Sequence, residues 1–460
     1  MKNSLEKVEL NRKSNTNYQY MAELRRKIDE TLKKWKQTDG KNPLVIKGCR
    51  QCGKTYSVMR FAQQYYRHVV YINFMVSRIF AKAFDESLNV DNIILNLMAL
   101  DSTARFEAGA TCIILDEIQE CPMARASLKF FKLDGRFDVI ATGSLLGVKG
   151  YGSSKASIPV GYETIVEMYP LDFEEFLWAN GINDVVIGKL QQCLDSSTPV
   201  PEAIHERMNG LLLRYTVVGG MPEVVKRFVA TNDINEVVSL QRTIVSQYED
   251  DMLKYADDAD KSRIRECFES IPRQLAKENK KFQYSLVRKN GKASQYGGSL
   301  QWIEDAGIIR RCYNLSITEL PLDGNAISDI FKVYMADTGL FVSMLEPGTQ
   351  ADILMGNLMG YKGAIFENLV ADMFVKMSRR LYYFRKDSGL EVDFVIRYKG
   401  QCTLVEVKSN DGNAKSLRTI VGHPEKYHVV SAIKLGLLNV GTSGGFTTLP
   451  LYMAFLLRGY

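Results

Sequence analysis

The sequence lacks a hydrophobic run long enough to cross a membrane. A spanning helix needs roughly 20 apolar residues, and the apolar stretch LPLYMAFLL at 449–457 is far shorter. The N-terminal segment MKNSLEKVELNRKSN is polar and mixed in charge, without the apolar core of a secretory signal. We therefore expect a cytoplasmic protein that has no membrane partner.

The sequence also has too little cysteine for a disulfide framework. Its eight cysteines are scattered over 460 residues, which predicts reduced thiols. Cys49 and Cys52 form a C-x-x-C pair, but no second pair completes a zinc site and the pair falls inside another motif. A zinc or redox role is therefore disfavoured.

Net charge, composition and length are weaker guides to the partners, the class of protein and the number of domains. A net charge of +6 permits a nucleic-acid partner without requiring one. A content of 46% hydrophobic and 24% charged residues is that of an ordinary globular protein. Because 460 residues are too many for one hydrophobic core, we expect two to four domains.

A phosphate-binding motif is present near the start of the chain. The segment GCRQCGKT at 48–55 fits G-x-x-x-x-G-K-[ST] at every fixed position, between an apolar strand at 44–47 and a helix from about Lys54. Lys54 is expected to reach the β- and γ-phosphates, and Thr55 to offer a hydroxyl to Mg²⁺. The residues expected to bind ATP are Gly48, Cys49, Arg50, Gln51, Cys52, Gly53, Lys54, Thr55 and Tyr56.

Two further strands are expected to complete this site. The apolar run at 112–115 ends in Asp116, a candidate Mg²⁺ ligand, and Glu117, which would polarise the attacking water. The run at 137–144 ends near Thr142, whose hydroxyl could sense the γ-phosphate. Strands that alternate with helical stretches predict an α/β fold, with a P-loop NTPase parallel sheet and helices on both faces.

The chain resembles a known group in these motifs and in MYPLDFEEFLWA at 168–179 and VGGMPEVV at 218–225. The group comprises predicted AAA-type ATPases of bacteria and archaea that carry a C-terminal domain of unknown function. The resemblance covers nearly the whole chain and implies a P-loop ATPase, but it supplies no substrate. No arginine finger is assigned, because Arg125 and Arg136 are of a type common on solvated faces.

The middle of the chain is helical from 168 to about 256, as a lid on the ATPase or a packing spacer. A polar stretch at 255–263 marks a boundary, and the following helix, short extended piece, helix and paired strands suggest a winged-helix module. Between 272 and 311 there are nine basic and three acidic residues, a local excess of +6. DNA contact is the expected use, and protein contact is the alternative. The basic residues are Arg273, Lys277, Lys280, Lys281, Arg288, Lys289, Lys292, Arg310 and Arg311, and the acids are Glu278, Glu304 and Asp305.

The last part of the chain predicts a charged hairpin. EVDFVI at 391–396 and CTLVEVKS at 402–409 read as two strands joined by the turn YKGQ. Alternation places Glu391, Asp393 and Val395 on one face of the first strand, and Leu404, Glu406 and Lys408 on one face of the second. The plain interpretation is a half-exposed strand with its charges in water.

The functional interpretation of this hairpin is a metal site. Asp393 beside Glu406 and Lys408 resembles the core of the PD-(D/E)xK nuclease superfamily, with Glu367 matching the glutamate on its helix. The resemblance implies that Glu367, Asp393 and Glu406 bind Mg²⁺, and that Asp393, Glu406 and Lys408 act in cleavage.

Together these features predict four units and two alternative functions. The units are a P-loop ATPase core at 1–167, a helical lid at 168–256, a winged-helix-like module at 257–345 and an α/β nuclease-like domain at 346–460. ATP hydrolysis would be coupled to binding or Mg²⁺-dependent cleavage of nucleic acid, with Lys54, Glu117 and Thr142 acting in hydrolysis. Alternatively, the chain is an ATP-dependent switch with an inactive nuclease-like domain. The candidate partners are ATP, DNA or another nucleic acid, and further copies of the chain.

Overall fold

The computed structural model describes most of the chain, namely residues 23–144, 161–255, 258–277, 280–357, 361–409, 414–429, 431–443 and 445–459. The N-terminal segment considered as a signal, part of the polar stretch at 255–263, and Glu278 lie outside these residues. Within them, no helix is both long and apolar enough to cross a membrane.

The first sheet has five parallel strands in the order β2-β3-β4-β1-β5. Alternate residues of each central strand are buried in separate clusters on the two faces; on β3, Ile113 and Leu115 lie on one face and Cys112 and Ile114 on the other. A strand buried on both faces requires a continuous apolar run. The predicted α/β parallel sheet is confirmed. Its strands are β1 Leu44–Lys47, β2 His68–Asn73, β3 Thr111–Asp116, β4 Asp138–Gly143 and β5 Thr164–Glu167. The helices of this part are α1 Lys27–Gln37, α2 Lys54–Tyr65, α3 Val90–Leu100 and α4 Pro122–Asp134, with 3₁₀ turns at Arg78–Phe84 and Ile118–Glu120.

Five helices follow the first sheet and form the connector. Asp172 caps the first of them, because its carboxylate accepts a hydrogen bond from the backbone N–H of Glu175 at 2.9 Å. The helical character predicted for this stretch is observed. The helices are α5 Phe173–Ala179, α6 Asp184–Ser196, α7 Glu202–Val218, α8 Pro222–Thr231 and α9 Ile234–Tyr255.

The next segment, called here the basic module, has three helices and two antiparallel strands, with the short helix α11 where the sequence predicts an extended piece. Strand β6 pairs not only with β7 but also, in parallel, with β8 from the last part of the chain. The sheet order is β7-β6-β8-β9, so one sheet runs across the predicted division at residue 345. The elements are α10 Asp258–Leu275, α11 Tyr284–Val287, α12 Ala293–Asp305, β6 Ile309–Leu315 and β7 Ala326–Met335, with a 3₁₀ turn at Leu322–Asn325.

The C-terminal unit contains a third sheet, in the order β10-β11-β12-β14-β13. Strands β10 and β11 form the predicted hairpin, whose turn residues Lys399 and Gly400 both have positive φ, as a two-residue hairpin turn requires. The helices are α13 Thr338–Ser343, α14 Thr349–Met355, α15 Lys362–Lys376, α16 Lys415–Val421 and α17 Pro424–Tyr427, followed near the end by a 3₁₀ turn at Leu451–Leu456. The strands are β8 Leu381–Arg385, β9 Glu391–Val392, β10 Phe394–Tyr398, β11 Gln401–Val407, β12 Ser431–Gly436, β13 Gly441–Ser443 and β14 Phe446–Pro450.

The sequence predicts EVDFVI as one continuous strand, but the structure divides this segment between two sheets. The chain leaves the second sheet after Val392 and enters the third sheet at Phe394, so that Asp393 lies at the switch. Val392 and Val395 are buried in the same cluster, whereas Phe394 is buried in another. The predicted shared face of Glu391, Asp393 and Val395 is therefore wrong, because the change of sheet shifts the alternation.

Strand β11 is not half-exposed either. Leu404 is fully buried and Glu406 is only 6% exposed. Val405 packs in the large cluster that contains α15, and Leu404 packs with Leu417 of α16. The interpretation of this strand as a solvated charged face is wrong, because helices cover both sides of it.

Candidate functional sites

The phosphate-binding loop links β1 to α2 and is shaped by its glycines. Gly53 has φ +95°, a conformation that residues with a side chain rarely adopt. At Gly48 an added Cβ would lie 2.1 Å from the carbonyl oxygen of Met168. Both positions therefore need glycine, and the loop lies closely against the strand end at Met168.

Lys54 starts α2 and crosses beneath the loop. Its Nζ donates to the carbonyl oxygens of Gly48 at 3.0 Å and Cys49 at 2.8 Å. The lysine is 7% exposed and also lines the cavity described below. It is thus placed where a phosphate group can take over its hydrogen bonds.

Asp116, at the end of β3, is held by four side chains. Thr55 Oγ1 donates to its carboxylate oxygens at 3.2 and 3.1 Å, and Asn73 and Tyr71 donate at 2.9 and 2.7 Å. Thr142 Oγ1 also donates to it. Burial and the bond to Asp116 raise the pKa of Tyr71, so its hydroxyl stays a donor. Thr55 and Asp116 are brought together as the sequence predicts, and a hydroxyl beside a carboxylate suits Mg²⁺.

Thr142 and Glu117 are placed differently from each other. Thr142 is fully buried against Asp116, which suits a positioning role for that carboxylate. Glu117 lines the cavity, where its Oε2 accepts from Gln119 Nε2 at 2.5 Å and from Ser144 Oγ at 3.3 Å. Of the two, Glu117 is the group that faces the space beside Lys54.

A cavity of about 470 Å³ lies over the loop. Cys52 is packed beneath the loop, where its thiol donates to the carbonyl oxygen of Met168 at 3.4 Å. Three residues of the connector helix α9 line the cavity and were missed by the sequence interpretation, because no local motif marks them. The lining residues are Arg50, Gln51, Gly53, Lys54, Thr55, Tyr56, Glu117, Gln247, Asp250 and Asp251.

Arg26 is a second residue that the sequence interpretation missed. Its guanidinium donates to the carbonyl oxygens of Cys52 at 3.1 Å and Tyr169 at 2.7 Å, and to Glu175 Oε1 at 3.1 Å. The side chain is buried, and it joins the phosphate-binding loop to the segment PLDFEEF. A short basic run at the start of a helix, here Arg25 to Lys27, gives no signal of this role in the sequence.

Comparison with known proteins identifies part of the chain. The sequence profile of a family described as "AAA domain" matches residues 40–177, which contain the loop, Asp116 and Glu117. Residues 40–177, called here the AAA domain, are therefore similar to AAA-type domains. Profiles of two domains of unknown function, DUF8612 and DUF4143, match residues 209–351 and 362–452. The predicted resemblance to AAA-type ATPases is confirmed for the AAA domain, whereas none of the three profiles is that of a nuclease.

Solved structures are similar to the chain at low identity. The Walker-type ATPase PABY2304 of Pyrococcus abyssi is 14% identical, with a TM-score of 0.41, and the match covers 70% of this chain and 96% of that one. AMPPCP-bound DnaA from Aquifex aeolicus is 13% identical, with a TM-score of 0.27 and coverages of 60% and 86%. The RuvB Holliday junction branch migration motor of Thermotoga maritima is 11% identical, with a TM-score of 0.27 and coverages of 63% and 90%. A search of curated proteins finds no match.

The two arginines considered as fingers are engaged in ion pairs within the AAA domain. Arg125 pairs with Glu163 at 2.7 Å, and Arg136 pairs with Asp91 at 2.6 Å. Neither lines the cavity. No finger is therefore assigned within the described residues.

A second cluster of charged groups lies in the C-terminal unit. The pairing of Phe394 with Val405 places Asp393 next to Glu406, as predicted. Lys408 Nζ pairs with Glu406 Oε1 at 2.6 Å, and Asp393 Oδ2 accepts from the backbone N–H of Val407 at 2.8 Å. The three residues of the predicted core are thus neighbours.

Glu367 belongs to this cluster but is already neutralised by the protein. Its Oε1 accepts from Lys332 Nζ at 2.9 Å and from the Tyr334 hydroxyl, and its Oε2 pairs with Lys280. Burial opposes ionisation, yet Lys280 and Lys332 lower the pKa of Glu367 to about 2. Two lysines therefore stand where the predicted metal ion would meet this carboxylate.

The predicted set of three Mg²⁺ ligands does not fit this arrangement. Among the described residues, no group of three or more His, Cys, Asp or Glu side chains is arranged to hold a metal ion. Burial and the charges of Glu406 and Glu367 raise the pKa of Asp393 to about 8, and Glu406 Oε2 is buried with no hydrogen-bond partner among the residues described. Asp393 and Glu406 remain a carboxylate pair, without Glu367 as a third ligand.

Part of the excess positive charge of the basic module is paired with acids of this chain, both inside and outside the module. Lys280 pairs with Glu367, Arg310 with Glu167 at 2.6 Å, and Arg311 with Glu304 at 3.3 Å. The exposed basic residues that remain near the start of α12 are Arg288, Lys289 and Lys292. Arg288 has a long contact of 3.7 Å with Glu266. The loop before α12 is therefore one surface that is available to an external anion, and Arg273 and Lys277 of the same basic set are exposed as well.

Proposed function

We propose that the chain binds and hydrolyses ATP at the cavity over the phosphate-binding loop. The observation that carries this proposal is the convergence of Lys54, Thr55 and Glu117 on one cavity, with Asp116 directly behind Thr55. The backbone N–H groups at the start of α2 and Lys54 would bind the phosphates. Thr55 and Asp116 would hold Mg²⁺, which neutralises phosphate charge when bound, and Glu117 would orient the attacking water.

The test of this proposal is nucleotide binding and phosphate release by the whole chain. Lys54→Ala is expected to abolish ATP binding or hydrolysis, because it removes the cation that faces the β- and γ-phosphates. Lys33→Ala is the matched control, since Lys33 is paired with Glu30 on the surface of α1 at 2.9 Å. Equal ATP turnover by wild type and Lys54→Ala would exclude this cavity as the catalytic site.

A second activity, nucleic-acid binding, is proposed for the loop before α12. Arg288, Lys289 and Lys292 are exposed there, and the N-terminal end of a helix adds a partial positive charge. Backbone phosphates of DNA or RNA are the matching ligand. A winged-helix fold for the module is part of this proposal.

For the C-terminal unit we favour the switch without cleavage over the nuclease. The supporting observation is that Lys280, Lys332 and Tyr334 occupy both oxygens of Glu367. We expect no cutting of single- or double-stranded DNA or RNA with Mg²⁺ or Mn²⁺, with or without ATP. Cleavage by wild type that disappears in Asp393→Asn would overturn this choice.

The assembly of the chain belongs to the same proposal. Arg125 and Arg136 are bound to acids away from the cavity. Arg50 already lines the cavity. If hydrolysis needs a further arginine, a second copy of the chain in the predicted homo-oligomer would supply it. Dependence of ATP turnover per chain on protein concentration tests this point.

A further inference from the structure

Helix α9 is docked onto the apex of the phosphate-binding loop. The Tyr248 hydroxyl donates to the carbonyl oxygen of Arg50 at 3.0 Å, and Asp251 Oδ2 lies 2.8 Å from Arg50 Nε. Gln247 Oε1 accepts from Gln51 Nε2. The contacts come from one face of α9 and meet Arg50 and Gln51, which are two of the variable positions of the motif.

The docked helix places two carboxylates in the cavity, where the phosphates of a nucleotide would add further negative charge. Asp250 and Asp251 line the same cavity as Lys54 and Thr55. The triphosphate of ATP is strongly anionic, and like charges a few ångströms apart in a partly enclosed site repel each other. The carboxylates of α9 and the phosphates of a nucleotide therefore compete for the same space.

We propose that α9 is a latch on the phosphate-binding loop, which the phosphates of a bound nucleotide displace. This inference rests on the proposed function, because the displacing ligand is ATP or ADP. The two contacts exclude each other, so whatever weakens the contact of α9 with the loop strengthens nucleotide binding, up to the affinity of the undocked loop. Helix α9 ends at Tyr255 and α10 of the basic module begins at Asp258, so displacement of α9 reaches the module directly.

The test is the affinity for ATP and ADP of variants in which the latch is uncharged. In the double variant Asp250→Asn/Asp251→Asn, we expect binding in the absence of Mg²⁺ to tighten about fivefold or more. Tyr248→Phe, which keeps the ring and removes the bond to Arg50, is expected to shift affinity in the same direction. The control is Glu236→Gln, because Glu236 is also an acid of α9 paired with an arginine, Arg227, at 3.5 Å, and it does not line the cavity.

Several outcomes overturn the latch. Unchanged affinity in the double variant would show that the carboxylates do not compete with phosphate. Weaker binding with Mg²⁺ present, and only then, would show that Asp250 and Asp251 help to hold the metal ion instead. If wild type binds no nucleotide at all, the proposed function fails; if wild type binds and the variants match it, only the latch fails.

Hydrogen exchange supplies a second measurement that does not depend on substitution. Addition of ATP to wild type is expected to speed amide exchange in the C-terminal half of α9, because its hydrogen bonds to Arg50 and Gln51 are broken. Slower exchange there would show that nucleotide tightens the docking, which contradicts the proposal.

Discussion

Asp116 and Glu117 are adjacent in the sequence, yet the structure gives them different degrees of freedom. Asp116 accepts hydrogen bonds from four side chains, including Thr55 and Thr142, and is 3% exposed. Among the described residues, Gln119 and Ser144 are the side chains that donate to Glu117, and Glu117 lines the cavity. A fixed carboxylate suits a metal ligand, whereas a carboxylate at the cavity wall suits contact with water.

Glu117→Gln is therefore expected to separate binding from turnover. The amide keeps the shape of the side chain but cannot act as a base, so ATP should still bind while hydrolysis falls by roughly 100-fold or more. Equilibrium binding and single-turnover phosphate release measure the two effects. Glu107→Gln, at an exposed acid paired with Arg67, is the control. Normal hydrolysis by Glu117→Gln would mean that another group orients the water.

Glu367 and Asp393 show how neighbours decide the charge of a buried carboxylate. Glu367 has two lysines beside it, and its pKa lies near 2. Asp393 has the carboxylates of Glu406 and Glu367 near it, and burial together with these charges raises its pKa to about 8. The residue type alone predicts neither state, because each shift depends on contacts made across the sheets.

At the scale of elements, the loop between α11 and α12 forms an exposed basic surface of the basic module. Gly291 closes this loop, since an added Cβ there would lie 2.4 Å from the carbonyl oxygen of Tyr284. The turn presents Arg288, Lys289 and Lys292 at the N-terminal end of α12. Lys280 and Lys281 precede it; Lys280 is bound to Glu367, so its removal would disturb the C-terminal unit as well.

The triple variant Arg288→Ala/Lys289→Ala/Lys292→Ala is expected to weaken nucleic-acid binding. Each side chain that touches a phosphate contributes about 1 to the slope of log affinity against log salt, so its removal should flatten the slope by about that amount. Fluorescence anisotropy with labelled DNA and RNA over a series of salt concentrations measures both the affinity and the slope.

A triple variant that removes the same charge elsewhere is the control for this experiment. Lys34, Lys129 and Lys189 are exposed on other helices, and replacing them with Ala should leave the salt slope close to that of wild type. Equal slopes in both triple variants, with binding intact, would move the basic module to the protein-contact alternative.

At the scale of the whole molecule, the connector and the last two predicted units share one buried junction. Lys376 Nζ donates to the carbonyl oxygen of Leu171 at 3.1 Å and to Asp372 at 3.1 Å. The backbone N–H of Gly220 donates to Asp337 at 2.7 Å. The segment PLDFEEF thus meets helix α15 through Lys376, and VGGMP meets Asp337 just before α13, all within a single core.

Gly220→Ala is expected to destabilise this junction. An added Cβ would lie 2.0 Å from the carbonyl oxygen of Leu171, so backbone must move, at a cost of roughly 1–3 kcal/mol or more. Gly210→Ala is the matched control, because nothing lies within 4 Å of its Cβ in helix α7, and alanine there should stabilise by about 0.5–1 kcal/mol. Thermal or denaturant unfolding of both variants checks the prediction. A Gly220→Ala protein as stable as wild type would contradict the tight packing at Leu171.

The sequence by itself determined the features that depend on interactions within a few residues of the chain. The spacing of Gly48, Gly53, Lys54 and Thr55 specifies a loop, because backbone freedom and a helix N-terminus act within a few residues. The apolar run before Asp116 specifies a strand buried on both faces. The turn at Lys399 and Gly400 specifies the β10–β11 hairpin and with it the closeness of Asp393 to Glu406.

Only the tertiary structure decided what those local parts contact. The docking of α9 on Arg50, the bond from Arg26 to Cys52, and the neutralisation of Glu367 by Lys280 join residues that are far apart in the chain. The change of sheet at Asp393 is of the same kind, since either sheet could continue the strand. Such contacts depend on which helix and sheet faces pack together across the whole chain, and no periodicity or spacing within a segment encodes that choice.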